Sequence, residues 1–318
     1  MRVDATARTK AFSLHPAALA TLAYFLPSVL VLPTFWEDPP GSLPAKLCRW
    51  RAGSGHPQVA LTFDDGPASD TGRTLDALDE LGMRATFFVL GTQMRAYPDA
   101  VVAMVARGHE VASHGFEHRH HLWSTPGAIR SDLEAAVQTH RDILGRAPRF
   151  YRPTYGQLCA STLIEAHHQG MEVVLWSRWG KEFAETEPAP VLARLEPGLV
   201  PGAILLLHDN DVSCRTGTGD LTRSVLAPLH RSLEDKGLRA VTLGQLLSPL
   251  ARPGGMGSVA PIQRRARGRA REPARANRED PRPCRCPAPP PGKQFGVRHV
   301  AAHRRGGRVG GGFGGAGS

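Results

Sequence analysis

The sequence predicts a parallel α/β barrel, on three observations. Strand-like apolar runs alternate with helical patterns through the middle of the chain. Most of the chemistry-bearing residues fall just after strands, where barrels of this general kind place their sites. And 318 residues are enough for a full-sized core. The elements follow in order. A strand over 59–63, Val-Ala-Leu-Thr-Phe, runs into Asp64-Asp65-Gly66-Pro67, and a helix follows over 70–81. A strand at 85–90 precedes a helix over 98–107. A long helix over 126–144 leads to a short strand at 150–151, and a helix over 161–169 leads to a strand at 172–176. A helix over 188–195, the apolar strand 203–207, a helix over 221–236 and a strand at 239–242 complete the series.

Composition divides the chain into 1–55, 56–250 and 251–318. Residues 252–318 hold 15 Lys or Arg and 3 Asp or Glu, a net of +12, so the other 251 residues carry 10 − 12 = −2. The basic character belongs to the tail. Rich in Arg, Pro and Gly, that tail is expected to be disordered, either an unselected extension or a frameshifted reading of a GC-rich gene. Its Arg304-Arg305-Gly306-Gly307-Arg308 run suits nucleic acid, anionic lipid or cell-wall polymer only through charge, and no specific nucleic acid is expected. At the other end, Arg2, Arg8 and Lys10 precede an uncharged stretch over 17–35, 19 residues against the roughly 20 that span a bilayer. It reads as a membrane anchor or an uncleaved signal, with Pro27 and Pro33 shortening any helix there, and a buried lead-in to the domain is the alternative. A positive amino end predicts a domain outside the cytoplasm, membrane-anchored or secreted. The five cysteines, at 48, 159, 214, 284 and 286, match no zinc ribbon or disulfide framework and are given no function. Oligomeric state is not legible.

Leu61-Thr62-Phe63-Asp64-Asp65-Gly66-Pro67 is the strongest chemical signal. Side chains alternate along a strand, so adjacent aspartates face one site only if the chain turns at them. One carboxylate then suits a metal and the other a proton, the cation keeping its neighbour ionised as a base. Alone, the tetrapeptide is equally a surface turn. Ser113-His114-Gly115-Phe116-Glu117-His118 sets two imidazoles four residues apart, on one helical turn or in a loop, and with Asp65 they make a set that leaves metal positions open for water and substrate. Three further stretches follow: Tyr151-Arg152-Pro153-Thr154-Tyr155-Gly156, 175–183 with Trp176, Trp179, Glu182 and Phe183, and Ile204-Leu205-Leu206-Leu207-His208-Asp209.

Over roughly 57–250 these five stretches, in this order, resemble the motifs of the polysaccharide deacetylases with a NodB homology domain, carbohydrate esterase family 4. The resemblance implies a distorted or incomplete (β/α) barrel and a metal-dependent hydrolase that removes N-acetyl groups from an N-acetylated aminosugar polymer, peptidoglycan or chitin-like. It implies Asp64 as catalytic base, Asp65, His114 and His118 as metal ligands, Arg152 orienting the base, Pro153 and Tyr155 walling the groove, His208 as general acid and Leu206 lining the acetyl pocket. The Tyr155 N–H is implied as an oxyanion donor, and Trp176 and Trp179 are read as groove wall. Zinc is the default ion, with cobalt or another divalent ion as alternatives. Two positions depart from the pattern. Gly115 stands where Ser or Thr is usual, which loosens the loop, and Glu182 stands where Asp is usual, its extra methylene moving the carboxylate by about 1.5 Å. Glu182 either pairs with Arg152 or tunes His208. His120, His121, His167 and His168 match no ligand position and are read as solvated.

Amide hydrolysis needs an activated water, a stabilised oxyanion and a proton for the departing amine, and these motifs offer a group for each. A bound divalent ion lowers the pKa of water from about 15.7 to around 7. Competing readings are a non-catalytic carbohydrate-binding relative, a two-His-one-carboxylate iron oxygenase, and an arginine-rich nucleic-acid binder.

Overall fold

The structure is a computed structural model that describes residues 16–31, 48–53 and 57–248. The expected tail, its arginine run, Cys284, Cys286 and residues 32–35 of the expected apolar span lie outside the described residues. Helix α1, Pro16–Val31, has 16 residues. No described helix is long and apolar enough to cross a membrane.

Among the described residues, eight parallel strands form one sheet. In chain order they are β1 (Gln58–Asp64), β2 (Thr86–Val89), β3 (Glu110–Ser113), β4 (Phe150–Tyr151), β5 (Glu172–Val173), β6 (Arg178–Trp179), β7 (Ile204–His208) and β8 (Arg239–Val241). The order across the sheet is β5-β4-β3-β2-β1-β7-β6. Strand β8 pairs with the opening residues of β1, from Gln58 to Ala60, and β2 with its closing residues, from Thr62 to Asp64. The sheet is thus an incomplete barrel. Chain from 48 to 52 reaches across its gap, Arg49 pairing with Val174 beyond β5 and Arg51 with Ala203 before β7.

The larger helices are α2 (Thr71–Glu80), α3 (Gly91–Ala96), α4 (Pro98–Ala106), α5 (Pro126–Leu144), α6 (Ala160–His168), α7 (Pro188–Leu195) and α8 (Thr218–Asp235), with a single turn α9 (Leu243–Leu246). Local sequence explains their limits. Pro98, Pro126 and Pro188 open helices, where a missing N–H costs nothing. Thr125 caps α5 by accepting from the Ala128 N–H, and Gly145 ends it in the left-handed region at φ 69°.

Strand alternation separates two cores. Val59, Leu61 and Phe63 of β1, with Leu205 and Leu207 of β7, pack against Leu75, Met104, Val191 and Leu229 of the outer helices. Ala60, Phe88, Ile204 and Leu206 belong to the second core, with Tyr151, Trp176 and Leu133. Thr62 and Asp64 alternate with the first set, so period two assigns Asp64 to the face that carries Ala60.

Two strands escaped the sequence reading. Strand β3 is four residues opening on a charged Glu, and β6 only two, so neither presents an apolar run. The expected strand 172–176 ends at Val173, because Leu175 N–H donates to Arg49 O across the barrel gap rather than continuing a ladder.

Candidate active site

Every candidate catalytic or metal-binding residue sits at or just beyond the carboxyl end of a strand or in the loop that leaves it. Asp64 and His208 are the last residues of β1 and β7 and face each other in register. Asp65 follows β1, His114 follows β3, Arg152 follows β4, and Glu182 lies three residues past β6.

The adjacent aspartates reach one site because the chain turns at the second of them. Asp65 has φ 74°, the left-handed region that few side chains adopt. Both carboxylates are buried. Arg152, fully buried, donates from Nη1 to Asp64 Oδ1 at 2.7 Å and to Thr62 Oγ1 at 2.8 Å, and from Nη2 to Leu175 O at 2.9 Å. Its guanidinium carbon lies 3.9 Å from the Phe88 ring centroid. That many fixed partners leave Arg152 one orientation, and Asp64 is held with it. Asn210 donates to Asp64 O at 3.1 Å, fixing the same residue from the β7 side.

Asp65 Oδ1 faces His114 Nε2 and His118 Nε2, each at 3.2 Å. No hydrogen bond closes on this buried oxygen among the described residues. His114 Nδ1 lies 2.7 Å from Arg152 O, a contact that places the ring proton on Nδ1 and leaves the Nε2 lone pair aimed at Asp65. One carboxylate oxygen and two imidazole nitrogens within 4.8 Å of one another fit a divalent cation. Burial pushes the Asp65 carboxyl up, but the imidazoles of His114, His118 and His208 outweigh it and hold it well below the usual carboxylate range. Asp65 is therefore ionised, as a ligand must be.

The loop that carries both histidines is braced rather than loose, correcting the expectation raised by Gly115. Gly115 has φ 90°, and a Cβ there would sit 2.8 Å from Asp132 Oδ2. Asp132, on α5, accepts from the Phe116 and Glu117 N–H groups at 3.0 Å each. The Gly91 and Thr92 N–H groups of α3 donate to Gly115 O and Phe116 O at 2.9 and 3.0 Å. The space of the usual hydroxyl side chain is taken by a carboxylate from another helix. His118 therefore stands in a loop, not on a helix. Next to it, His121 is buried and bonded to the Tyr151 hydroxyl at 3.1 Å, so its reading as solvated was wrong; His120 is exposed and stacks on Tyr155. His167 and His168 are exposed on α6, as expected.

His208 presents Nε2 to Asp65 Oδ2 at 3.8 Å and Nδ1 to Glu182 Oε1 at 2.7 Å. The same Glu182 oxygen accepts from His208 N–H at 2.6 Å. Glu182 thus serves His208, while Arg152 is committed to Asp64. Burial opposes charge on His208, but the Glu182 carboxylate, then Asp65 and Asp64, outweigh it and raise the imidazole to about 9.

These groups open into a cavity of about 250 Å³ whose apolar wall includes Trp176, Trp179, Phe183 and Leu206. Tyr155 lines it too, half-exposed, with φ 57°. Pro153 is buried and does not line it, whereas Gly156 does. Sequence reasoning gave no site role to Thr62, Asp132, Asn210, Phe183 or Cys214. Of these, Asn210 and Phe183 had a signal in their places beside His208 and Glu182; Asp132, mid-helix and far along the chain, had none.

The family model described as polysaccharide deacetylase matches residues 52–174. A chitooligosaccharide deacetylase of Bradyrhizobium sp. (strain ANU 289) is 33% identical over 201 residues, 61% of this chain and 92% of that protein. A peptidoglycan-N-acetylglucosamine deacetylase of Bacillus cereus is 30% identical over 191 residues, 58% of this chain and 66% of that protein. Among solved structures, the Bc1960 peptidoglycan N-acetylglucosamine deacetylase in complex with 4-naphthalen-1-yl-N-oxidanyl-benzamide superposes with a TM-score of 0.60 at 27% identity, covering 65% of this chain and 96% of that one.

Proposed function

Since the chain belongs to the polysaccharide deacetylase family, carbohydrate esterase family 4, we propose that it removes N-acetyl groups from an N-acetylated aminosugar polymer, peptidoglycan or chitin-like. One observation carries the reading: the Asp65, His114 and His118 donors converge in the same cavity as Asp64 and His208, a carboxylate and an imidazole placed to serve as base and acid.

In this proposal Asp65, His114 and His118 hold a divalent ion, zinc by the chemistry of the donors, with cobalt an alternative. When bound, it supplies polarisation of the acetyl carbonyl and acidifies the attacking water. Asp64, held in place by the Arg152 guanidinium, takes the proton of that water. The Tyr155 N–H, carried by a residue in the left-handed region, donates to the oxyanion, a class of donor worth about 10²–10³ in rate. His208, protonated through its Glu182 contact, gives its Nε2 proton to the departing amine. Leu206 and Trp176 receive the acetyl group and the sugar, with Trp179 and Phe183 extending that wall.

The enzyme is further proposed to act outside the cytoplasm, held at the membrane by the apolar segment. The positive amino end supports this, as do the exposed Leu19, Leu22 and Leu26 of α1. Pelleting with membranes, lost on deletion of residues 1–47, tests it.

For the reaction, the metal-stripped protein is reloaded with zinc and acetate release is measured from chitooligosaccharides and from peptidoglycan, with Asp64→Asn alongside. Zinc-dependent release that the variant loses is the expected result. Release from neither polymer with zinc bound would refute the reading and favour a non-catalytic carbohydrate-binding relative.

A further inference from the structure

The cavity contains a second group of metal donors that the proposed chemistry does not use. Cys214 lines it, on the loop that follows β7. A cysteine sulfur, a His208 nitrogen and an Asp65 oxygen all lie within 4.8 Å of one another. Asp65 is common to both groups, but its two oxygens face different partners. Oδ1 faces His114 and His118 at 3.2 Å, and Oδ2 faces His208 Nε2 at 3.8 Å.

We infer that Asp65 Oδ2, His208 Nε2 and Cys214 Sγ form a second divalent-metal site, selective for zinc, with Asp65 bridging the two ions. Zinc bonds of about 2.0–2.3 Å at tetrahedral angles put neighbouring donors about 3.4–3.7 Å apart. The 3.8 Å contact of His208 with Asp65 is already close to that spacing, and Cys214 needs at most about 1 Å of adjustment. A thiolate beside an imidazole suits zinc and disfavours magnesium or calcium, whereas the first group offers no sulfur. Binding exchanges the thiol proton, released to solvent, for a sulfur–zinc bond.

The loop is built to hold the thiol there. Asp211 accepts from the Gly217 and Gly219 N–H groups at 2.8 and 3.0 Å. Asn210 accepts from the Val212 N–H at 2.9 Å. Glu182 fixes the His208 ring from its other nitrogen, leaving Nε2 as the donor that faces the cavity.

The consequence follows from the shared atom. Nε2 of His208 is the nitrogen that carries the proton for the leaving amine, so zinc there displaces that proton and arrests the reaction. Excess zinc is therefore an inhibitor, at a site separate from the one it activates. This consequence rests on the deacetylase reading, but the binding does not.

Cobalt(II) titration of the metal-stripped full chain, carrying Cys284→Ser and Cys286→Ser to silence the tail thiols, reads the site directly. Two equivalents are expected, one with the near-ultraviolet thiolate-to-cobalt charge-transfer band, and Cys214→Ser keeps one equivalent and loses the band. In acetate release, zinc beyond one equivalent inhibits the parent, and Cys214→Ser moves the midpoint to at least about 10-fold higher zinc, the scale of a lost metal contact. A charge-transfer band that survives Cys214→Ser, a single cobalt equivalent in the parent, or an unmoved inhibition midpoint would overturn the inference. If no zinc level gives acetate release, the deacetylase reading fails while the cobalt band still decides the site.

Discussion

Replacing Glu182 by Gln removes a charge from behind His208 while keeping size and one carbonyl acceptor. In the parent the imidazole is raised from 6.5 to about 9, burial pulling it down and Glu182 first among the groups pushing it up. A cation on Asp65 weakens the Asp65 contribution, so Glu182 decides the balance in the loaded enzyme. With the carboxylate gone the burial remains, and the imidazole falls back toward its ordinary value. At pH 7.5 His208 then passes from mostly protonated to mostly neutral, a loss of roughly tenfold in acid-catalysed turnover. Acetate release followed as kcat/KM against pH checks this. The alkaline limb is expected to move down by more than one pH unit, with activity recovering as pH falls toward 6. Stability moves with it. A folded pKa above the unfolded one contributes fully below about 6.5 and is lost as pH rises through about 9, and the gap between 6.5 and 9 is worth about 3 kcal/mol. The parent should lose that increment across this window and Glu182→Gln should not. An alkaline limb that stays in place, with activity lost equally at every pH, would refute the assignment of Glu182 to His208.

Two further outcomes follow from the packing. Gly115→Ser, which installs the residue usual in the family, is expected to lower stability by about 1–3 kcal/mol and to weaken zinc binding, because the new Cβ meets Asp132 Oδ2 at 2.8 Å on a backbone at φ 90°; thermal unfolding and zinc titration check it, and equal or higher stability would contradict the bracing role of Asp132. Arg152→Met strands the buried Asp64 carboxylate and should cost about 3–5 kcal/mol in urea unfolding, besides abolishing acetate release. A cost below about 1 kcal/mol would mean that Asp64 finds another partner.

Much of this protein was legible in the chain. The barrel class followed from alternating apolar runs and helical patterns, and residues at the carboxyl ends of the strands carried the chemistry. Helices 126–144 and 188–195 were legible to the residue, because Pro126 and Pro188 open them and Gly145 closes the first. Period-two alternation and a turn at Asp65 were enough to expect two carboxylates in one site. What stayed hidden depends on contacts between distant segments. Strands as short as β3 and β6 are strands only because neighbours supply their hydrogen bonds. Gly115 reads as slack until Asp132, seventeen residues on, fills the space beside it. Glu182 offered two partners, and the choice was made when β7 set His208 within 2.7 Å of it while Asp64 claimed Arg152. Cys214 carried no motif and meets Asp65, about 150 positions earlier, only because β1 and β7 are neighbours. Sequence determined which groups exist and at which strand ends they stand, since backbone periodicity is local. Tertiary structure decided which of those groups touch, since burial leaves each charge only the partners that the fold brings within reach.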